Sequence, residues 1–146
     1  MKYKYYSSVE ILSTLEKQKI VDFLYEHLDE FGDSKDAIGK AIDYAMLAYP
    51  LAGGFILNAE EKGEILGAVV MNHTGMKGYI PENILVYIAV HKDHRGKGLG
   101  KKLMNEALLY AKGDIALHVE PNNPAKFLYE KIGFDNKYLE MRLKRS

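Results

Sequence analysis

A chain of 146 residues, 47% apolar and 27% charged, has the size and composition of one folded domain rather than of a disordered segment. Its 20 basic and 20 acidic residues give a formal net charge of zero, which argues against a basic nucleic-acid-binding surface. The sequence contains no cysteine, which excludes disulfides, thiolate metal sites and a cysteine nucleophile.

The first third of the chain predicts a short edge strand and two helices. Residues 2–6 are aromatic and short enough for an edge strand. Ser13 followed by Glu16 predicts a capping box at the start of a helix, and Gly32 predicts its end. Residues 37–47 repeat the helical spacing of apolar side chains and predict a second helix.

The middle of the chain predicts three strands. Pro50 breaks the chain, and residues 55–59 and 64–72 then predict a hairpin. Residues 75–81 form a loop. Residues 84–90 are almost continuously apolar and β-branched, which predicts a central strand that is buried on both faces.

The last third alternates helices and strands. Apolar spacing predicts a helix that starts at Leu99 and ends near Gly113, a strand over 115–119 and a short helix over 125–132. Residues 138–143 predict a last strand, whose apolar character would suit pairing with a second subunit in a homodimer. Together the elements predict an α/β (α+β) fold, one domain over residues 1–146, with a mixed sheet flanked by helices.

No apolar run is long enough to cross a bilayer, and the N-terminus is polar and rich in tyrosine. It does not resemble a signal peptide. We therefore expect no membrane association and a cytoplasmic location.

Three alternating glycines follow the buried strand, at Gly96, Gly98 and Gly100. Glycine lets the backbone turn tightly and bring its N–H groups close to a ligand, and the N-terminus of the next helix adds unpaired donors. Basic side chains around these glycines add charge that complements phosphate. The pattern predicts a cradle for an anion such as a pyrophosphate. The basic residues are Arg95, Lys97, Lys101 and Lys102.

Two common phosphate motifs fit this loop poorly. In the dinucleotide fingerprint the third glycine comes one residue later than Gly100. A P-loop needs a first glycine where Arg95 stands, and a magnesium-binding hydroxyl where Lys102 stands. A plain glycine turn before a solvated basic helix is the remaining alternative.

The loop belongs to a longer pattern. Arg95-Gly96-Lys97-Gly98-Leu99-Gly100 resembles the R/Q-x-x-G-x-G/A signature of the GNAT superfamily, the Gcn5-related N-acetyltransferases. Downstream, Asn122-Asn123-Pro124-Ala125 and Leu128-Tyr129-Glu130-Lys131-Ile132-Gly133-Phe134 resemble its N-x-x-A-x-x-x-Y-x-x-x-G-F hallmark. The resemblance covers residues 64–143 and is specific because both motifs occur in the family's order.

The resemblance implies a fold, a cosubstrate and a set of binding residues. The fourth and fifth strands would splay apart, and acetyl-CoA would lie between them. Asn122 would contact the pantetheine, with Asn123 as an adjacent alternative. Tyr129 would face the sulfur as general acid; otherwise it is an interior tyrosine. The backbone of Ile88, Ala89 and Val90 would pair with pantetheine, and Arg95, Gly96, Lys97, Gly98, Leu99, Gly100 and Lys101 would surround the pyrophosphate.

An acyl transfer to an amine also needs a base, because a primary amine is mostly protonated at neutral pH. The resemblance implies Glu82, which precedes the fourth strand, as a base acting directly or through water; otherwise it is a solvated carboxylate. Direct attack on the thioester suits a chain without cysteine. Other candidates that could reach the cleft are Tyr87, His73, His118 and Glu120.

Two further groups carry weaker predictions. His91 and His94 lie three residues apart but lack further ligands, so we expect no metal site. Four acidic residues between the first two helices could attract a cationic amine, or simply solvate the helix ends. These are Asp29, Glu30, Asp33 and Asp36.

The sequence therefore favours an acetyl-CoA-dependent N-acyltransferase that acts on an amine of a small molecule or peptide. Two alternatives stay open. One is a non-catalytic acyl-CoA-binding sensor of the same fold, and the other is an unrelated phosphate-binding protein.

Overall fold

Residues 1–48 and 53–145 are described in the computed structural model of the protein, and within them five strands form one sheet. The predicted break at Pro50 lies outside the described residues. The strands follow the order β1-β2-β3-β4-β5 across the sheet. Their bounds are β1 Lys2–Tyr6, β2 Gly54–Glu61, β3 Glu64–His73, β4 Asn83–Val90 and β5 Ile115–Leu117. The α-helices are α1 Thr14–His27, α2 Lys35–Ala45, α3 Leu99–Tyr110 and α4 Ala125–Ile132.

The sheet is mixed, as predicted. Strands β1 to β4 pair antiparallel with their neighbours, and β5 pairs parallel with β4. The β2–β3 hairpin turns at Lys62 and Gly63, which both have positive φ (52° and 80°). Positive φ at both central residues is typical of the tight turns that join antiparallel strands.

Helix α1 begins with the predicted capping box. The Glu16 N–H donates to Ser13 Oγ at 3.1 Å, and the Ser13 N–H donates to Glu16 Oε1 at 2.8 Å. The helix ends at His27, several residues before the predicted stop at Gly32. A 3₁₀ turn over Asp29–Phe31 fills the interval, and Asp29 has a φ of 56° that interrupts the α-helical backbone.

Each face of the sheet carries its own core. Helices α1 and α2 cover one face with side chains such as Leu24 and Ile42, both fully buried. Helices α3 and α4 cover the other face, where Leu103 and Tyr129 pack against the sheet. The hydrophobic free energy of both cores therefore holds the strands in register.

A bulge changes the direction of side chains in the middle of β4. Val70 pairs with Tyr87 and Met71 pairs with Leu85, so Val86 is an extra residue in the ladder. As a result Val86 and Tyr87 both pack toward the α1–α2 core, whereas Leu85 lies in the α3–α4 core.

Strands β4 and β5 separate where this bulge begins. Their pairing joins Asn83, Ile84 and Leu85 to Ile115–Leu117 and goes no further. All three residues of β5 take part in this pairing, so among the described residues the last five residues of β4 have no strand beside them on that side, in agreement with the predicted splay. We call the space beside this free edge of β4 the wedge.

The predicted last strand is wrong: residues 138–143 belong to no strand of the described structure. Leu139, Met141 and Leu143 are more than four-fifths exposed, at 83%, 90% and 82%. Their alternation with charged residues is the pattern of a strand, but a pattern forms a strand only where a sheet edge pairs with it. In the described residues no segment pairs with the outer edge of β5. Among these residues, no helix has the length and apolar character of a membrane span.

Candidate functional site

The glycine loop joins the open end of β4 to α3. Gly96 and Gly98 adopt left-handed conformations with φ of 76° and 79°, which side chains other than glycine rarely take. A Cβ atom at either position would meet no heavy atom of residues 1–48 and 53–145 within 4 Å, so the space above the loop is open there. No side chain of the described residues caps the N-terminus of α3 at Gly98. Backbone donors and the positive end of the helix dipole thus face an open cradle that suits a pyrophosphate.

The lysine side chains in and after the loop are exposed to solvent. Lys97 is exposed, and Lys101 lies in the exposed first turn of α3. Leu99, which belongs to the same motif, instead buries its side chain in the α3–α4 core and offers the cradle only its backbone. The lysines therefore supply positive charge, while the leucine fixes the helix start against the sheet.

Gly100 has a different function from the other two glycines of the loop. A Cβ atom there would lie 3.3 Å from Leu128 Cδ2 and 3.7 Å from Val90 Cγ2. The absence of a side chain thus lets α3, α4 and the end of β4 approach one another. This contact brings the cradle and Tyr129, the residue after Leu128, to the same side of the wedge.

The last three residues of β4 line the wedge. Ala89 is buried toward the α1–α2 core, whereas Ile88 and Val90 pack on the α3–α4 side and are partly exposed. One edge of their backbone pairs with β3, and the other edge has no strand partner among the described residues. An extended ligand could therefore pair with this free edge as a strand would.

Tyr129 lies on α4 and is 9% exposed. Burial raises the pKa of its hydroxyl from the usual 10 to about 12. Its ring contacts Phe134 edge to face, with centroids 6.0 Å apart. Among the described residues its hydroxyl has no hydrogen-bond partner. A neutral phenol with an unused proton is therefore available beside the wedge.

The two adjacent asparagines before α4 differ in their contacts. Asn123 Oδ1 accepts a hydrogen bond from the Ala125 N–H at 2.9 Å, and the Asn123 N–H donates to Glu120 O. Asn123 thus shapes the turn that starts α4. Asn122 is exposed, and its side chain makes no such local bond in the described structure. Of the two, Asn122 is the one that remains available for a ligand.

The side chain of Arg95 points away from the cradle. Its Nη1 donates to Asp29 Oδ2 at 2.9 Å, its Nη2 to the carbonyl of His27 at 2.5 Å, and its Nε to the carbonyl of Val90 at 3.2 Å. The hydrogen bond from Arg95 holds the pKa of the Asp29 carboxyl below its usual value. The guanidinium thus joins the end of α1 to the loop instead of facing the space above the glycines.

His27 was not singled out from the sequence, although it lies behind the loop. Its ring is buried and its Nδ1 accepts a hydrogen bond from the Lys92 N–H at 3.2 Å. The His91 ring lies 4.2 Å away, centroid to centroid. Burial, followed by the charge of His91, lowers the pKa of His27 and favours the neutral acceptor form. One feature of the sequence could have identified His27: it is a polar residue seven positions after Ile20, on the same buried face of α1.

Comparison with known proteins identifies the family. Residues 52–136 match the model of the acetyltransferase (GNAT) domain. The chain belongs to this GNAT family. A 5-NmdU N-acetyltransferase of Pseudomonas phage PaMx11 is 34% identical over 83 residues, which are 56% of this chain. The match spans 57% of that relative, little more than half of its length.

Solved structures show the same fold. An aminoglycoside 6'-N-acetyltransferase of Acinetobacter haemolyticus has a TM-score of 0.72 and 15% identity, over 100% of this chain and 99% of that one. An aminoglycoside N-acetyltransferase solved in complex with CoA has a TM-score of 0.70 and 14% identity, over 99% of this chain and 95% of that one. These likenesses concern the architecture of the GNAT domain.

The carboxylate expected as base, Glu82, lies at the closed end of the wedge. A Cβ atom on Gly113 would lie 1.9 Å from Glu82 Oε2, so the carboxylate packs over the turn before β5. Glu82 lies six positions before Ile88, which is roughly 20 Å along an extended strand. The structure therefore places Glu82 far from the last three residues of β4.

A second carboxylate of this GNAT domain lies over the middle of β4. The hydroxyl of Tyr87, at the bulge, donates to Asp33 Oδ2 at 2.5 Å. Burial and this hydrogen bond raise the pKa of Tyr87, while Asp33 itself is exposed. Both residues were candidates from the sequence, but their pairing across 54 positions was not foreseeable.

The remaining candidates lie elsewhere. His118 and Glu120 follow β5 and are exposed. His73 Nδ1 lies 2.9 Å from Asn83 Oδ1, near the closed end of the wedge. Among the described residues, no group of three or more His, Asp or Glu side chains is placed to hold a metal ion.

Proposed function

We propose that the protein transfers the acetyl group of acetyl-CoA to an amine of a small molecule or peptide. The observation that carries this proposal is the open glycine cradle at the mouth of the β4–β5 wedge, with the neutral phenol of Tyr129 beside it. Membership of the GNAT family and the likeness to an enzyme solved with CoA support it.

We propose that the cosubstrate binds along the wedge in an extended form. The N–H groups at Gly96, Gly98 and the start of α3 would hold the pyrophosphate, and Lys97 and Lys101 would neutralise its charge. The free backbone edge from Ile88 to Val90 would pair with pantetheine, and Asn122 would add a side-chain contact. The side chains of Lys97, Lys101 and Asn122 are exposed.

The reaction we propose is direct. The thioester supplies the acyl group, the amine nitrogen forms the new C–N bond, and the C–S bond breaks to release CoA. A backbone N–H on β4 would stabilise the oxyanion, and the Tyr129 hydroxyl would donate a hydrogen bond to the leaving sulfur. The amine must lose a proton, and Glu82 and Asp33 are our two candidates for the base that accepts it.

The first experiment is isothermal titration of the purified protein with acetyl-CoA, NAD and ATP. We expect acetyl-CoA to bind, NAD and ATP not to bind, and Gly98→Glu to weaken the binding of acetyl-CoA because it places a carboxylate in the cradle. Binding of NAD or ATP without acetyl-CoA would refute the proposal and reassign the loop to another phosphate ligand.

Catalysis is tested by release of the free CoA thiol with a panel of amines. The panel contains an aminoglycoside, 5-NmdU, a polyamine and a peptide with a free N-terminus, because relatives carry the first two in their names. Thiol release that depends on one amine supports the enzyme. Tight binding of acetyl-CoA without release on any amine would favour an acyl-CoA sensor instead.

A further inference from the structure

We propose that Asp29 and His27, at the end of α1, are positioning residues that hold the cofactor cradle in its binding shape through Lys92 and Arg95. We call these four residues the α1 clamp. The inference rests on the proposed binding of CoA at the glycine loop. In this proposal the end of α1 influences how tightly CoA binds at the start of α3. The end of α1 lies outside the region that matches the family model.

His27 and Asp29 contact both ends of the segment that joins β4 to the cradle. Near β4, the Lys92 N–H donates to His27 Nδ1 at 3.2 Å, and Lys92 Nζ lies 3.6 Å from Asp29 Oδ1. Next to the cradle, Arg95 donates to Asp29 Oδ2 and to the His27 carbonyl at 2.9 and 2.5 Å. Two residues of α1 and its following turn thus fix two residues of the loop.

The conformation of Asp29 also indicates that its position matters. Its φ of 56° lies in the left-handed region, where aspartate is tolerated but most side chains are strained. This backbone places one carboxylate oxygen on each of the two loop cations, Lys92 and Arg95. Asparagine adopts the same conformation readily, so Asp29→Asn removes the charge without disturbing the turn.

The cradle needs such support because its glycines do not restrict their own backbone conformation. Gly96 follows Arg95 directly. A Cβ atom at Gly96 or Gly98 would meet no heavy atom of the described residues within 4 Å. Glycines with left-handed φ and no packing neighbours have many accessible backbone conformations. Ordering them would cost binding free energy, and the clamp removes part of this cost before the ligand arrives.

A competing hypothesis makes the opposite prediction. If the guanidinium of Arg95 bound phosphate directly, Asp29 would compete with the ligand for it. Removal of the carboxylate would then release Arg95 and lower the negative charge near the cradle, so an anionic ligand would bind more tightly. Under the clamp hypothesis the same substitution loosens the loop, and the ligand binds more weakly.

The experiment is isothermal titration of CoA into the full chain and its variants at constant pH and salt. We expect Asp29→Asn to raise the Kd of CoA about fivefold or more, within the usual range of coupling between sites. Glu30→Gln is the matched control, because it removes the same charge from the next residue, which is exposed and forms no hydrogen bond or ion pair with the described residues. Its Kd should stay equal to that of the wild type or fall slightly.

Three further measurements separate positioning from a general loss of stability. The double variant Asp29→Asn/Arg95→Gln should lose less binding of CoA than the two single variants lose together, since both substitutions break the contact between Asp29 and Arg95. His27→Asn, which keeps a hydrogen-bond acceptor, should bind more tightly than His27→Leu. Amide exchange of residues 92–98 should be faster in Asp29→Asn, while the melting temperature stays close to that of the wild type.

The outcomes are distinct. Unchanged or tighter binding of CoA by Asp29→Asn would overturn the clamp, and so would additive effects in the double variant. Failure of the wild type to bind CoA would instead refute the proposed function, and the clamp with it.

Discussion

Tyr129→Phe removes one hydroxyl and leaves the shape of the site unchanged. With a pKa of about 12, Tyr129 is ionised at pH 7 in about one molecule in 10⁵. Its pKa also exceeds that of an ordinary thiol by about 3 to 4 units, so complete proton transfer to a leaving thiolate is unfavourable. We therefore expect the hydroxyl to donate a hydrogen bond to the developing thiolate without transferring its proton fully.

The expected loss of rate follows from that function. A hydrogen bond to a charged group contributes about 1.5–3 kcal/mol, which corresponds to a fall in kcat of about 10- to 150-fold. The Kd of acetyl-CoA should stay the same, because the bond forms mainly in the transition state. The free energy of unfolding should change by less than about 1 kcal/mol, since no hydrogen bond of the described structure is lost.

The assay combines thiol release, using an amine found active in the panel, with titration of acetyl-CoA and urea unfolding. A kcat within about threefold of the wild type would refute the function of Tyr129 at the sulfur, because about 0.6 kcal/mol is less than such a bond contributes. A basic limb near pH 8–9 that disappears in Tyr129→Phe would refute the reasoning on its pKa, because burial should keep this hydroxyl protonated up to about pH 12.

Three more predictions concern the cradle, the buried histidine and the base. Gly98→Ala should lower the free energy of unfolding by about 1 kcal/mol, because its φ is 79° and no contact compensates the strain; unchanged urea unfolding would contradict this. Folding lowers the pKa of His27 below its unfolded value near 6.5. The neutral ring therefore contributes to the free energy of unfolding above pH 6.5, and this contribution is lost as the pH falls through the folded-state pKa. The difference between the urea midpoints at pH 8 and pH 5 should therefore be smaller in His27→Asn than in the wild type, and unchanged in the exposed control His118→Asn. Equal pH dependence in the wild type and His27→Asn would contradict the lowered pKa of His27. Asp33→Asn should reduce kcat below pH 8 more than Glu82→Gln does, because Asp33 lies over the middle of β4; the reverse order in a pH–rate profile would restore Glu82 as the base.

Local patterns predicted the helices and most strands well. The helix over Ala125–Ile132, its stop at Gly133 and the capping box at Ser13 follow from side chains within a few residues of each other. The tight backbone turn of the glycine loop was likewise predictable, since it depends on the conformations of neighbouring glycines. Such features require no knowledge of where distant parts of the chain lie.

Contacts between distant residues were not predictable. The motif places Arg95 at the cradle, but its partner Asp29 lies 66 positions earlier and turns the side chain away. The bulge at Val86 likewise decides which face Tyr87 occupies, and a continuous apolar strand carries no mark of an extra residue. The strand predicted over residues 138–143 was wrong for a related reason, because a strand forms only where the edge of another strand pairs with it.

The separation of β4 from β5 has a consequence for backbone dynamics. Amides of the last half of β4 that point toward β5 have no strand partner in the described residues, whereas those that point toward β3 are paired. Unpaired amides exchange their hydrogens readily, and paired ones are protected. The free protein should therefore show alternating protection along one strand, which becomes uniform when an extended ligand fills the wedge and completes the sheet.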